Sequence, residues 1–359
     1  MQILHERCCG LDVHKKTVVA CALVTHADGT VQRRVRPFGT MTGELLALSG
    51  WLSGLEVTQI ALESTGVYGK PVFNLLEDEA RTIVLVNPQH MKAVPGRKAD
   101  VKDSEWLADL LRHGLVRARF IPPAPIRERR ELTRSRTTLV RERGQETQRL
   151  QKLLETANVK LGAVATVVLG TSGRAMLVAL LAGEDDPAVL AELARGKLRA
   201  KLPALRQALE GRVKPYHRVL LGELLGHITY MDEAIARLYD EIERHLAPFA
   251  EAVERLQTIP GVSATAASTI IAEIGVDMAR FPSQKHLASW AGVCPGNRQS
   301  GGKRLSGKPT TGNVWLRAVL GEVAWAASRT RDTLSWLFIH PDGFGWIKSQ
   351  DRAQGTNAG

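Results

Sequence analysis

Cys8-Cys9-Gly10-Leu11-Asp12-Val13-His14-Lys15-Lys16 decides how the first third of this chain folds. A short apolar run delivers one acidic residue, and an alternating run from Thr17 to Val24 follows at once. That pattern predicts a first sheet strand carrying a carboxylate to the edge of a core. Val18 to Thr25 reads as a second strand, His26-Ala27-Asp28-Gly29 as a turn with Asp-Gly at its tip, and Val31 to Phe38 as a third. Thr42 is placed to cap a helix running to about Trp51. Gln59 to Leu62 is a short apolar strand ending at Glu63, Tyr68 to Glu79 a helix, and Thr82 to Val86 a buried strand that Asn87-Pro88 stops. Asp100 and Asp103 then open a segment of helical periodicity through Leu111, three apart and so on one face. Three strands, helix, strand, helix, strand, helix is the order of a ribonuclease H-like fold.

Four acids, Asp12, Glu63, Asp100 and Asp103, are therefore expected to converge. Close carboxylates repel unless a cation separates them, and hard divalent cations take oxygen ligands, so the expected cofactor is Mg²⁺, two ions about 4 Å apart. Taken singly, Asp12 and Glu63 read better as solvated caps or surface charges, and the Asp100/Asp103 pair reads equally well either way; the combination in this strand order carries the expectation. His14, two residues beyond Asp12 on the same strand face, reads as a local structural residue.

The totals point to the partner. A chain of 359 residues has room for two or three domains, and its net charge of +11 favours a polyanion, most often nucleic acid. The four cysteines, Cys8, Cys9, Cys21 and Cys294, contain no CxxC pair, which excludes a zinc ribbon and predicts buried free thiols in a reducing compartment. With no signal pattern and no apolar run of membrane-spanning length, the protein is expected in the cytoplasm.

Beyond the stiff Ile121-Pro122-Pro123-Ala124-Pro125 linker, arginines crowd a long predicted helix from Arg127 to about residue 155. Their excess over the interleaved glutamates predicts phosphate contact, with Arg127, Arg130, Arg134 and Arg141 the chosen contacts. Further helices are expected at Pro187 to Leu193, Leu198 to Leu209 (with Pro203 able to break it) and His217 to His245. The last is long enough to pair antiparallel with the arginine helix as a coiled-coil arm. Ile259-Pro260-Gly261-Val262 between two helices resembles a helix–hairpin–helix turn, in which Gly261 lets backbone N–H groups approach a phosphate. Asn297 to Pro309 reads as a polar, glycine-rich connector that sets hydroxyls among Arg298, Lys303, Arg304 and Lys308, a setting for a nucleophile among phosphate-binding cations. The domain reading is thus 1–120 α/β, 121–255 helical arm, 256–348 mainly helical with the serine loop, and 349–359 a tail.

These motifs together carry a likeness. Gly10-Leu11-Asp12-Val13-His14-Lys15, Glu63-Ser64-Thr65-Gly66, Asn87-Pro88, Lys98-Ala99-Asp100-Val101-Lys102-Asp103, Ile259-Pro260-Gly261-Val262, and Ala291-Gly292-Val293-Cys294-Pro295 with Ser300-Gly301 and Gly312-Asn313 occur in the order seen in the DEDD transposases of bacterial insertion sequences. The chain resembles that family, also called bridge-RNA-guided recombinases and related to the Piv DNA invertase. The resemblance implies a RuvC-like N-terminal domain whose four acids are Asp12, Glu63, Asp100 and Asp103. It also implies a C-terminal serine nucleophile at Ser300, with Ser306 the runner-up. Donor and target DNA, a structured guide RNA and a homo-oligomer, dimer or tetramer, are the implied partners. Ala99, where a threonine is common, and Lys102-Asp103-Ser104 depart from the family pattern at the helix start. The alternative activity is a metal-dependent, junction-resolving endonuclease that uses the same acids and no covalent step.

Overall fold

A computed structural model describes residues 3–64, 66–77, 80–86, 103–116, 121–294, 298–300, 303–306 and 312–330, with backbone alone at 64, 298–300 and 303–306. The chain divides into two compact units, Met1–Ile121 and Pro122–Gly359. The first is a mixed sheet with helices, and among the described residues the second is helical apart from one hairpin.

In the first unit the strands are β1 (Arg7–Val13), β2 (Thr17–Thr25), β3 (Val31–Gly39), β4 (Gln59–Ser64) and β5 (Thr82–Val86), arranged β3-β2-β1-β4-β5. β1–β3 are antiparallel neighbours, while β4 and β5 continue parallel to β1. The expected meander forms for the expected reason. Gly29 sits at φ +81°, and Asp28 Oδ1 accepts hydrogen bonds from the Thr30 N–H (2.9 Å) and hydroxyl (2.6 Å). Those bonds hold the Asp28 carboxyl below its ordinary pKa.

Alternation along β1 splits the core in two. Cys9, Leu11 and Val13 pack with Leu45, Leu48 and Leu52 of α1 (Thr42–Gly54) and Val72 and Leu76 of α2 (Gly69–Leu76). Cys8 faces the other way, with Cys21, Leu23, Ala61 and Val86, against Leu107, Ala108, Leu110 and Leu111 of α3 (Asp103–Arg112). Thr42 is not the cap expected of it. The N-cap of α1 is Met41, with no side-chain cap hydrogen bond, and Thr42 is the first helical residue. Similarly α2 starts one residue later than expected, because Gly66–Tyr68 forms a 3₁₀ turn before it, and it ends at Leu76, where Glu77 turns to an extended conformation.

α3 is in backbone contact with β1. A Cβ on Gly10 would lie 2.6 Å from Ala108 N and 2.8 Å from Leu107 Cβ, and nearer still to Ser104 O. Glycine at position 10 is what lets the helix settle on the strand. The direction of α3 follows from its contacts: Arg112 O accepts from Leu4 N (2.9 Å), Ala108 O accepts from the Cys8 thiol (3.7 Å), and Ser104 lies over Gly10. The helix therefore runs antiparallel to β1, its start towards the Asp12 end.

The second unit is built on α4 (Ala124–Thr156) and α9 (Pro215–Leu246). They pack as the antiparallel pair expected from their lengths: Thr156 meets His217, Glu146 meets His227, and Arg143 meets Asp232. Leu150 and Leu154 of α4 and Leu221, Leu225, Ile228 and Met231 of α9 share a core with the smaller helices α5 (Leu161–Val164), α6 (Thr171–Leu181), α7 (Pro187–Glu192) and α8 (Leu202–Leu209). Pro203 falls in the first turn of α8, where its missing N–H costs nothing, and the preceding Gly196–Lys201 is 3₁₀. A second core joins α10 (Ala250–Gln257), α11 (Ala264–Ile274), α12 (Gln284–Ala291) and α13 (Val314–Ser328) through Val262, Ala267, Ile270, Ile274, Ala291, Leu316 and Val319.

Candidate active site

Asp12 and Glu63 are direct partners in the parallel β1–β4 ladder. In-register residues of adjacent strands point to one face, so these two carboxylates project side by side from strands about 4.8 Å apart. That face belongs to α3, because Cys8 and Ala61, four residues back from Asp12 and two back from Glu63 along the alternation, pack against it. Asp12 is partly accessible, and its Oδ2 lies 3.1 Å from His14 Nε2. Asp103 is the first residue of α3, at the helix end nearer Asp12. A helix N-terminus carrying Asp103 and Glu105 is stabilised by its dipole. Asp100 lies outside the described residues, and among those described no group of three or more His, Cys, Asp or Glu stands close enough to hold a metal ion. What the topology brings together is Asp12 with Glu63, with Asp103 at the adjoining helix start.

Between α12 and α13 the connector expected to be irregular contains a hairpin. β6 (Arg298–Ser300) pairs antiparallel with β7 (Lys303–Ser306), registering Ser300 with Lys303 and Arg298 with Ser306. The two residues between the strands are Gly301-Gly302, a two-residue turn signal that sequence reasoning passes over because the flanking runs are polar. Ser300 is thus next to the hairpin tip and Ser306 at its base. Lys308 is outside the described residues, and for Arg298, Lys303 and Arg304 the backbone placement on the hairpin is what is described.

The segment leaves and re-enters the helical core at one point. Gly292 ends α12 in the left-handed region at φ +73°, and Gly312 sits at φ +51°. A Cβ on Gly312 would collide with the backbone of Gly292 and lie 2.8 Å from Ala291 C. Asn313 N donates to Trp290 O at 2.9 Å.

The arginines of α4 need a correction. They are not an outward row of cations, because α9 covers one flank of the helix and α11 another. Arg134 grips the carboxylate of Glu273 with two hydrogen bonds of 2.8 Å. Arg130 donates to Ala272 O (3.2 Å) and Glu273 O (2.6 Å), at the C-terminal end of α11 where a cation is favoured. Burial pushes the Arg130 guanidinium pKa below its ordinary value, and the Glu273 charge opposes that. Arg129 is buried under the Phe249 ring at 3.8 Å, and Arg136 donates to Thr269 Oγ1 at 3.3 Å. Arg127 donates to Pro122 O at 2.9 Å. Arg141 is exposed, its guanidinium 5.0 Å from the Trp315 ring centre. Of the four arginines assigned to phosphate, Arg130 and Arg134 are engaged inside the protein, whereas Arg141 keeps an open face.

Gly261 also has a structural duty. It turns at φ +88°, and a Cβ there would lie 2.7 Å from Ala327 N and 2.8 Å from Val323 O of α13. The Ile259-Pro260-Gly261-Val262 turn does join two helices, and Ser263 Oγ caps the second by accepting from Ala266 N.

The residue that sequence reasoning misses is Glu273. It is fully buried, yet in the sequence it is a lone acid closing an apolar helix. Its Oε2 also accepts from Asn313 Nδ2 at 2.6 Å.

Comparison with known proteins places both parts of the chain in one family. A family model described as "Transposase", of the DEDD IS110 type, matches residues 9–159, and one described as "Transposase IS116/IS110/IS902 family" matches residues 253–337. The chain belongs to the DEDD transposases of insertion sequences. The DEDD match contains Asp12, Glu63, Asp100 and Asp103, and the other contains Glu273, the hairpin and Asn313. Among similar proteins, the transposase for insertion sequence element IS1111A of Coxiella burnetii is 28% identical over 247 residues, 66% of this chain and 57% of the relative. The transposase for insertion sequence element IS1328 of Yersinia enterocolitica is 33% identical over 116 residues, 32% and 34% of the two chains. A putative transposase of Sinorhizobium fredii is 27% identical over 265 residues, 72% and 56%. The matches thus span about half the length of the longest-covered relatives.

Proposed function

We propose that this DEDD transposase cuts and rejoins DNA through a serine nucleophile, Ser300, working with a carboxylate centre formed by Asp12, Glu63, Asp100 and Asp103. The observation that carries the reading is the in-register pairing of Asp12 with Glu63 on the face covered by α3. The strand order β3-β2-β1-β4-β5 supports a RuvC-like assignment for this unit. Two adjacent carboxylates on a sheet, with a third at a neighbouring helix start, supply the oxygen ligands that a hard divalent cation takes. Asp12, Glu63, Asp100 and Asp103 would hold two Mg²⁺, which when bound polarise the phosphoryl oxygen and stabilise the leaving oxygen.

The chain's own groups do the rest. Ser300 Oγ forms a bond to phosphorus as the phosphorus–oxygen bond of the DNA strand breaks, and the hydroxyl proton leaves with the departing oxygen. Arg298, Lys303 and Arg304, on the hairpin with Ser300, neutralise phosphate charge, and Arg141 adds an exposed cation on α4. Rejoining is the reverse attack by a DNA hydroxyl on the phosphoserine link. The reading requires the acids and Ser300 to meet on DNA, across domains of one chain or across the subunits of a homo-oligomer. A guide RNA as second nucleic acid and a cytoplasmic setting complete it. Among the described residues no helix is long and apolar enough to cross a membrane.

The test is trapping. Incubated with donor and target DNA, guide RNA and Mg²⁺ and then denatured, the protein should carry covalently attached DNA, and Ser300→Ala should abolish that adduct. An unchanged adduct in Ser300→Ala would remove the serine from the mechanism. Cutting that persists in Ser300→Ala but stops in Asp12→Asn would establish the water-attacking endonuclease instead.

A further inference from the structure

The geometry points to Glu273 as the positioning residue of the serine hairpin, locking the base of the Ser300 segment to helix α4. This inference rests on the serine reading above and goes beyond it, because Glu273 lies on neither the hairpin nor the carboxylate face. Three observations converge on its side chain. Both oxygens are held by Arg134 at 2.8 Å, so the carboxylate has one orientation relative to α4. Its Oε2 takes a third donor, Asn313 Nδ2, at 2.6 Å. That same asparagine accepts from Trp315 N and Leu316 N at 3.1 Å with its other side-chain atom, and so starts α13.

Asn313 is also the residue by which the hairpin segment returns to the core. Its N–H reaches Trp290 O in the last turn of α12, and Gly312 just before it presses on Gly292. The segment bearing Ser300 therefore stands on a pinched base, and the base is fixed by one buried carboxylate. A buried carboxylate holding two arginines and an amide is a rigid joint, since any rotation strands a charge away from water. Arg130 grips the backbone of the same helix end, so α4, α11 and the hairpin base move as one body. An attack geometry that tolerates little misplacement needs such an anchor.

The joint has a diagnostic chemistry. In Asn313→Asp the cap acceptor survives, but two carboxylates now face each other. In Glu273→Gln/Asn313→Asp the donor and acceptor are exchanged, and one negative charge remains beside Arg134. The experiment measures, on the full-length protein, the rate of covalent DNA adduct formation, DNA affinity, and hydrogen exchange of the 298–306 amides, for wild type, Asn313→Asp, Glu273→Gln and the double variant. We expect Asn313→Asp to slow adduct formation at least tenfold and raise exchange across the hairpin, with DNA affinity within threefold of wild type. The double variant should recover most of the lost rate. An Asn313→Asp variant with wild-type adduct rate, or a double variant no better than Asn313→Asp, overturns the positioning role. Should Asn313→Asp fail to fold, the comparison of Glu273→Gln with the double variant decides: no gain in rate from adding Asn313→Asp refutes the exchange. A wild-type adduct that survives Ser300→Ala would sink the serine reading instead, an outcome read from a different lane.

Discussion

Gly10→Ala should loosen the N-terminal unit far more than one methyl group suggests. The new Cβ would lie 2.6 Å from Ala108 N and 2.8 Å from Leu107 Cβ, where 3.4 Å is ordinary contact, and the nearest atoms belong to backbone or to a buried side chain. α3 must therefore retreat by about 1 Å, because a sheet strand paired on both sides cannot. Forcing extra volume into a packed core costs about 1–3 kcal/mol. Leu107, Leu110 and Leu111 are each worth about 1.5–3 kcal/mol when fully buried, and losing a third of that across three residues adds a similar amount. The expected loss is about 3–5 kcal/mol. Since the chain has two compact units, a single melting curve would blur the effect, whereas hydrogen exchange reads it locally. Amides of residues 107–111 should exchange roughly two to three and a half powers of ten faster, at about 1.4 kcal/mol per power. The control is Gly50→Ala in α1, exposed and with nothing within 4 Å of the added carbon, which should stabilise by about 0.5–1 kcal/mol. Exchange in α3 of Gly10→Ala within threefold of wild type would refute the close-packing argument.

Other predictions follow from the same geometry. Glu273→Leu leaves the arginines around it without their counter-charge and should destabilise the second unit by about 3–5 kcal/mol, seen as a lower urea midpoint for its helices. Mg²⁺ should raise the melting temperature of the wild type, and Asp12→Asn or Glu63→Gln should abolish the rise; a rise retained in both would remove these acids from the cation site. Burial pushes the Cys8 and Cys21 thiols up to about 12, so neither should react with a thiol reagent at pH 8 in the native protein, while all four cysteines react in denaturant. Because these raised pKa values favour the protonated thiol in the folded state, their contribution is intact below pH 9. It is lost as pH climbs towards about 12, by about 1.4 kcal/mol per unit for each thiol, which alkaline unfolding monitored by circular dichroism would reveal.

Much of the first unit could be read from residues alone because its strands alternate and its turns are spelled out. Asp28-Gly29 fixes one hairpin, and the acids at 12 and 63 fall at strand ends that the topology makes neighbours. The lengths of α4 and α9 likewise announced an antiparallel pair. What stayed hidden was decided at long range. Arg130 and Arg134 look like solvated or phosphate-seeking cations until α11 is packed against α4 and its one acid is buried between them. Glu273 carries no local sign of that partnership, 139 residues from Arg134. The β6–β7 hairpin was obscured differently: three- and four-residue polar strands have no hydrophobic alternation to display. The Met41 cap shows a third cause, since a threonine able to cap helix α1 is one position too far along to do so.

The α4–α9 pair also acts as a lever. At 33 residues and 1.5 Å per residue, α4 is about 50 Å long. Its attachment to Glu273 lies in the first turns, and the cluster built on Leu150 and Leu154 lies near the far end. Tilting the rod by about 5° at the attachment sweeps the other end, about 35 Å away, by about 3 Å, the length of a hydrogen bond. Whatever grips the outer helices thereby gains mechanical advantage over the joint beneath the serine, and a displacement of several ångströms there arrives at the hinge as a fraction of one.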